Sequence, residues 1–219
     1  MIDFDKLVDL HIAREHKPKA IGRYYPSEVG SCLRKVWYSY KYPQKIDPDL
    51  LKIFEAGDII HGFVVEVLKS EKNHDVKLVD AEIPFSIKVG DFVISGRVDD
   101  LVLVKSSGEN VLIEVKSTKD VSIVKKPQSN HVMQLMFYMK ATAVHKGVVL
   151  YIDKNNLKSK VFEVEFDPEK CARIFDRFAF LHDYLKRNGL PESEAKQISD
   201  MNWMCRYCEY RDKCGKDEK

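Results

Sequence analysis

The chain has 219 residues, 44% of them hydrophobic and 32% charged, which supplies a real core and is too apolar for a disordered segment. Its 36 Lys and Arg oppose 34 Asp and Glu, a net charge of +2 that taken alone disfavours a protein coating nucleic acid. No apolar run approaches the roughly 18–20 residues of a membrane span, and Met1–Asp5 does not read as a signal peptide. The five cysteines are odd in number, with three inside ten residues, so a secreted disulfide framework is not expected; a soluble, cytoplasmic chain with thiols available as metal ligands is.

In chain order, apolar spacing predicts a first helix over Asp3–His16 and a second from Ser27, a good N-cap, with Val29, Cys32, Leu33, Val36, Trp37 and Tyr40 at helical intervals. Between Arg14 and Lys45 eight cations face two acids, a local charge of +6, interleaved with six Tyr and Trp residues. Cations for phosphates beside aromatic faces for stacking suit single-stranded nucleic acid. Arg23, Tyr24, Tyr25, Arg34, Lys35, Trp37 and Tyr38 are the candidate contacts. The structural alternative is a solvated basic face over buried aromatics.

A third helix is expected over Pro48–Ser70, with Leu50, Ile53, Phe54, Gly57, His61, Val64, Val65 and Leu68 along one apolar stripe. The period then changes. Lys77–Lys88, Asp91–Lys105 and Asn110–Ser117 read as strands, broken by Gly90 and by Ser106-Ser107-Gly108. A helix over Ser129–His145, with Val132, Leu135, Met136 and Met139 inward, precedes strands at Gly147–Asp153 and Val161–Phe166. A long amphipathic helix opens at Asp167-Pro168 and runs to about Asn188, followed by a Cys-rich tail. Helix, three strands, helix, strand is a mixed α/β core. The expected organisation is a basic helical segment at 1–46, a core at 47–166 and a C-terminal helix with the cysteines at 167–219, all one compact unit.

That core carries charges where a buried element should be apolar. Asp99 and Asp100 interrupt the second strand, and Glu114 and Lys116 share one face of the third. Carboxylates on adjacent strands can share Mg²⁺ or Mn²⁺, and a lysine two residues away can orient a water or offset charge on phosphate. An ordinary ion pair on a solvated face is the alternative. His61 lies on the apolar stripe, where a core histidine would be equally at home. Gln134 and Tyr138 project together four residues apart, with His131 near that face.

His61, Gly96-Arg97-Val98-Asp99, Glu114-Val115-Lys116 and Gln134-Leu135-Met136-Phe137-Tyr138, in that order, resemble the PD-(D/E)xK nuclease superfamily and, more closely, its RecB-like exonucleases. The resemblance implies a restriction-endonuclease-like core, with His61, Asp99, Glu114 and the Val115 carbonyl as ligands of Mg²⁺ or Mn²⁺. It implies Lys116 as catalytic lysine, with Gln134 and Tyr138 near the substrate. The Gly-Arg-x-Asp match favours Asp99 over Asp100, and Val98 replaces the proline of the superfamily's name.

Cys205-x2-Cys208-x5-Cys214 needs a fourth ligand for tetrahedral thiolate chemistry, and Cys32, Cys171 and His182 are candidates. By spacing alone zinc suits the set as well as iron–sulfur. A distant cysteine in Ser27-Glu28-Val29-Gly30-Ser31-Cys32-Leu33-Arg34, followed by this triplet, resembles the iron–sulfur nucleases, including the CRISPR-associated RecB-like exonuclease family. That resemblance implies a 4Fe–4S cluster, or a 2Fe–2S cluster, on Cys32, Cys205, Cys208 and Cys214. Cys171 then remains as a core thiol beside Ile174, Phe175 and Phe178. It further implies a single-stranded DNA exonuclease of 5′→3′ polarity, with endonuclease activity in some members. Trimming of DNA ends with the CRISPR integrase, and a homo-oligomeric form in some cases, complete what it implies. The chain has no Gly-x-x-x-x-Gly-Lys-Ser/Thr loop, which sets it apart from helicase–nucleases. The rival readings are a repair nuclease outside CRISPR, a metal-stapled DNA-binding adaptor without activity, and a redox-sensing regulator.

Overall fold

A six-stranded mixed sheet forms the middle of the molecule, in a computed structural model that describes residues 1–15 and 17–217. The elements are α1 (Phe4–Ile12), β1 (Arg23–Tyr24), α2 (Leu33–Lys41), α3 (Pro48–Lys69), β2 (Val76–Val89), β3 (Phe92–Val104) and β4 (Glu109–Thr118). They continue with α4 (Ser129–Thr142), β5 (Lys146–Asp153), β6 (Ser159–Glu165), α5 (Pro168–Lys186), α6 (Glu194–Gln197) and α7 (Arg211–Lys216). Expected and observed strand ends differ by two residues at most. His16, the expected last residue of the first helix, lies outside the described residues. Among the described residues no helix is long and apolar enough to cross a membrane.

The strand order β1-β3-β4-β5-β6, with β2 on the other edge of β3, follows from residue pattern. Val111–Ile113 and Val148–Ile152 run apolar on both faces, as central strands do, while β6 alternates exposed and half-buried, as an edge strand does. The β4–β5 pair is parallel, which demands a crossover, and α4 supplies it. On one face α3 buries Ile60 and Val64 against Val102, Ile113, Val115 and Ile152. On the other, Leu135, Met136 and Met139 of α4 and Ile174, Phe178 and Leu181 of α5 cover Leu112, Val149 and Tyr151.

Two helices depart from expectation. Ser27 does not cap a helix: Pro26–Glu28 is a single 3-10 turn, and α2 starts only at Leu33, with Cys32 at its N-cap. Gly30 explains the delay, because a Cβ there would lie 2.0 Å from the Asn130 Cβ at the start of α4. The loop must present bare backbone to α4 before a helix can begin. In α3 the inward residues are Leu51, Ile60 and Val64, whereas Leu50, Ile53 and Phe54 of the expected stripe are exposed. This helix is apolar around most of its circumference, so periodicity does not select the face.

Candidate active site

β3 and β4 pair antiparallel from Asp100–Ile113 to Val104–Glu109 and then separate. Past that point β4 stays with β5, Glu114 opposite Val149 and Lys116 opposite Tyr151. The same edge of β3 is taken up again only by β1, at Val93 and Ile94. Between them is a fork, and Asp99 stands in it. Its carboxylate accepts the Val115 N–H at 2.9 Å, substituting for a ladder partner that β3 no longer offers.

Glu114 and Lys116 point to the α4 side of the fork. Glu114 is fully buried, and its carboxylate is in contact with the Lys116 ammonium. Lys116 Nζ also lies 3.5 Å from Gln134 Oε1, and Gln134 Nε2 donates to the Tyr138 hydroxyl at 2.8 Å. On the α3 side, His61 Nε2 faces Asp100 Oδ2 at 3.3 Å, so it is Asp100, fully buried, that His61 touches. Sequence reasoning set Asp100 aside. Its signal is the pleat, because Asp100 points with Val102 and Ile113 toward α3, the helix that carries His61. A second residue it missed is Tyr151, whose hydroxyl lies 2.7 Å from His131 Nδ1 and accepts the Gln128 N–H at 3.0 Å. His131 therefore belongs to the wall beside Lys116 and does not join the Gln134–Tyr138 pair.

Electrostatics mark this fork. Burial, then the Asp99 charge, raises the Glu114 pKa to about 8 despite Lys116. Burial likewise raises Asp99. Burial works against the Lys116 ammonium, yet Glu114 and Asp99 outweigh it and its pKa is raised, which favours its charged form. Contact with Asp100 raises His61 against its burial. Burial, with Lys116 nearby, takes His131 down to about 3 and keeps it neutral.

These side chains suit a divalent cation. Among the described residues the buried Glu114 carboxylate meets only the Lys116 ammonium, and the buried Asp100 carboxylate only His61 Nε2. Buried carboxylates held only by ion contacts are costly, and a hard cation removes that cost. No three His, Cys, Asp or Glu side chains among the described residues form a closed metal cage as they stand.

The acid form of Glu114 gives a pH signature. In the unfolded chain it ionises near 4.5, and in the folded, metal-free chain near 8, so the folded state holds the extra proton between those values. Its contribution to stability is complete below about pH 4.5 and is lost progressively up to pH 8. In EDTA, wild type is therefore expected to lose more stability between pH 5 and pH 8 than Glu114→Gln does. Urea melts of the two across that range check this, and parallel curves would contradict it.

The four cysteines proposed as ligands come together elsewhere. Cys32, Cys205, Cys208 and Cys214 line one cavity of about 40 Å³, none of them in a disulfide, and Arg34 Nη1 donates to Cys214 Sγ at 3.6 Å. Four thiols around one small cavity fit an inorganic group by donor chemistry. Cys171 and His182, the rival fourth ligands, are occupied elsewhere. Cys171 is buried in the main core, and His182 lies between the Tyr24 hydroxyl at 2.7 Å and Asp91 at 3.1 Å.

The nucleic-acid contacts expected in the basic segment need correction. Tyr24, Trp37 and Tyr38 are at most 5% exposed and Arg34 9%, so no base can stack on those rings. Packing explains it: Tyr24 stacks on Phe178, and Tyr38 packs on Tyr210 while its hydroxyl donates to Asp217 at 2.8 Å. Arg34 Nε is spent on the Pro191 carbonyl at 2.6 Å. Arg23 and Tyr25 remain exposed, and the half-buried Lys35 pairs with Glu209 at 3.0 Å. Lys19 pairs with Glu28 at 2.6 Å, so much of the local charge is neutralised in place.

A mixed sheet with a forked pair of strands, two carboxylates and a lysine at the fork, and a covering helix with Gln and Tyr is a nuclease architecture. The sequence pattern of the PD-(D/E)XK nuclease superfamily matches residues 13–215, and the chain belongs to that superfamily. It is 24% identical over 206 residues to the CRISPR-associated exonuclease Cas4 of Saccharolobus solfataricus, covering 93% of this chain and 91% of that one. Among solved structures, SSO0001 shares the fold with a TM-score of 0.60 at 22% identity, over 94% of this chain and 90% of that one. LHK-Exo, the alkaline exonuclease of Laribacter hongkongensis, does so in its complex with dAMP, with a TM-score of 0.54 at 14% identity, over 77% and 90%.

Proposed function

We propose that this nuclease is a divalent-metal-dependent exonuclease that hydrolyses single-stranded DNA at the fork between β3 and β4. The observation that carries the reading is the buried Glu114 carboxylate, raised in pKa and held only by Lys116, beside Asp99 on the separating strand. Asp99, Glu114, His61 and the Val115 carbonyl are the proposed ligands of Mg²⁺ or Mn²⁺, which supplies Lewis acidity toward a scissile phosphate. Asp100 holds His61 from behind, as carboxylates commonly hold metal-bound histidines.

The protein's own part in the reaction centres on Lys116. As an ammonium, it offsets the negative charge that builds on the phosphate oxygens and orders the attacking water. Gln134 and Tyr138 keep that ammonium directed into the fork and offer donors to the DNA strand. Arg23 and Tyr25 are the remaining exposed contacts of the basic segment for DNA. Segments 1–46, 47–166 and 167–219 work as one unit.

Likeness to the CRISPR-associated exonuclease Cas4 supports exonucleolytic cutting in a CRISPR setting, and we read the finer role as 5′→3′ trimming, with some endonucleolytic cutting, of DNA ends before spacer acquisition by a CRISPR integrase. The four-cysteine cavity supports a 4Fe–4S cluster in a structural role. A brown anaerobic preparation with broad visible absorption is expected, and a colourless zinc-loaded one would remove the cluster. Oligonucleotides labelled at the 5′ or the 3′ end, single- or double-stranded, test the activity: progressive shortening of single strands from the 5′ end is expected with Mn²⁺ or Mg²⁺. Intact single strands, or shortening from the 3′ end only, would overturn the substrate or the polarity.

A further inference from the structure

The loop that leads to Cys32 is held through its backbone by two side chains. Arg177 of α5 donates from Nε to the Val29 carbonyl at 2.9 Å and from Nη2 to the Ser31 carbonyl at 3.1 Å. The same guanidinium forms a two-pronged pair with Glu194 at the start of α6, at 2.6 and 3.0 Å. Glu194 Oε2 in turn accepts the Leu33 N–H at 2.8 Å, the residue directly after Cys32. Backbone on both sides of the cysteine is therefore fixed by one bidentate unit. From the other side, Gly30 rests on α4 with no room for a Cβ.

Cys205, Cys208 and Cys214 reach the cavity from other segments: Cys205 from the 3-10 turns at Ser199–Tyr207, Cys208 from just after them and Cys214 from α7. Nor does the joining of the two ends of the chain depend on the thiols. Arg34 bonds Pro191, Tyr38 bonds Asp217, and the Tyr210 hydroxyl donates to the Tyr42 carbonyl at 3.1 Å.

We infer that the Arg177–Glu194 pair is a positioning device that presets the Cys32 thiol for the inorganic group held by the four cysteines. The inference rests on reading those cysteines as ligands of one group. Weakening the pair frees the Cys32 backbone, so the group leaves faster, while the other ties keep the chain folded.

The test uses the full chain purified anaerobically as wild type, Glu194→Gln, Arg177→Lys and Arg177→Met. Iron, sulfide and zinc are measured per chain, then the rate of metal release to a chelator, then the thermal unfolding midpoint of each stripped protein. Release is expected to be about tenfold faster or more in Glu194→Gln and Arg177→Met, with Arg177→Lys between Met and wild type. The stripped proteins are expected to unfold at the wild-type midpoint. Should Arg177→Met fail to fold, Glu194→Gln, which keeps an acceptor for Leu33, still decides the matter. Release at the wild-type rate, or faster release matched by a lowered midpoint of the stripped protein, overturns the positioning role. A wild type with neither iron nor zinc overturns the ligand reading itself, and it does so before any variant is compared.

Discussion

Replacing Glu114 by Gln, or Lys116 by Met, is expected to slow DNA hydrolysis by about 10³-fold with no comparable loss of folding. Glu114 is fully buried, so the isosteric Gln preserves packing while removing the charge that a cation requires. At pH 8 the metal-free Glu114→Gln protein should be at least as stable as wild type, because it no longer carries a buried group on the point of ionising. Lys116→Met leaves Glu114 without its ion contact, and Glu114 responds by keeping its proton. Turnover on a labelled oligonucleotide, measured beside urea melts, separates the two effects. Wild-type rates in either variant, or a slow variant that is simply unfolded, would contradict the assignment.

Gly30→Ala is expected to be the most destabilising single methyl in the molecule, costing about 3 kcal/mol or more. The added Cβ would fall 2.0 Å from Asn130 Cβ and 2.2 Å from Asn130 Cα, and backbone cannot yield as the end of a flexible side chain does. Relief requires the loop carrying Cys32 to move away from α4, and that loop is pinned by Arg177 and Glu194. Gly62→Ala, inside α3 where a Cβ meets nothing within 4 Å, is the control and should equal wild type or exceed it by up to about 1 kcal/mol. Chemical denaturation of both variants checks the difference; equal stability would show that the loop is free to shift.

The parts of the fold legible in the sequence are those governed by local period and punctuation. Strands β2, β3 and β4 fall where alternation and the breaks at Gly90 and Gly108 put them, and Asp167 caps α5 as its place before Pro168 suggests. Features set by distant partners were not legible. Ser27 looks like an N-cap until Asn130, a hundred residues away, is seen to occupy the space beside Gly30. Tyr24, Trp37 and Tyr38 look like a stacking platform, yet the same rings serve as core, and nothing in their spacing tells the two apart. At the site, residue types and order were legible, whereas the contact of His61 with Asp100 depends on how β3 pleats toward α3. The fork itself was invisible, because it arises where pairing stops.

One measurement bears most directly on the claim that this fork hydrolyses DNA with a divalent cation. A 5′-labelled single-stranded oligonucleotide is incubated with wild type and with Asp99→Ala, each with Mn²⁺ and with excess EDTA. The account predicts degradation by wild type with Mn²⁺ alone and intact DNA in the other three reactions. Degradation by Asp99→Ala at the wild-type rate, or by wild type in EDTA, would contradict it.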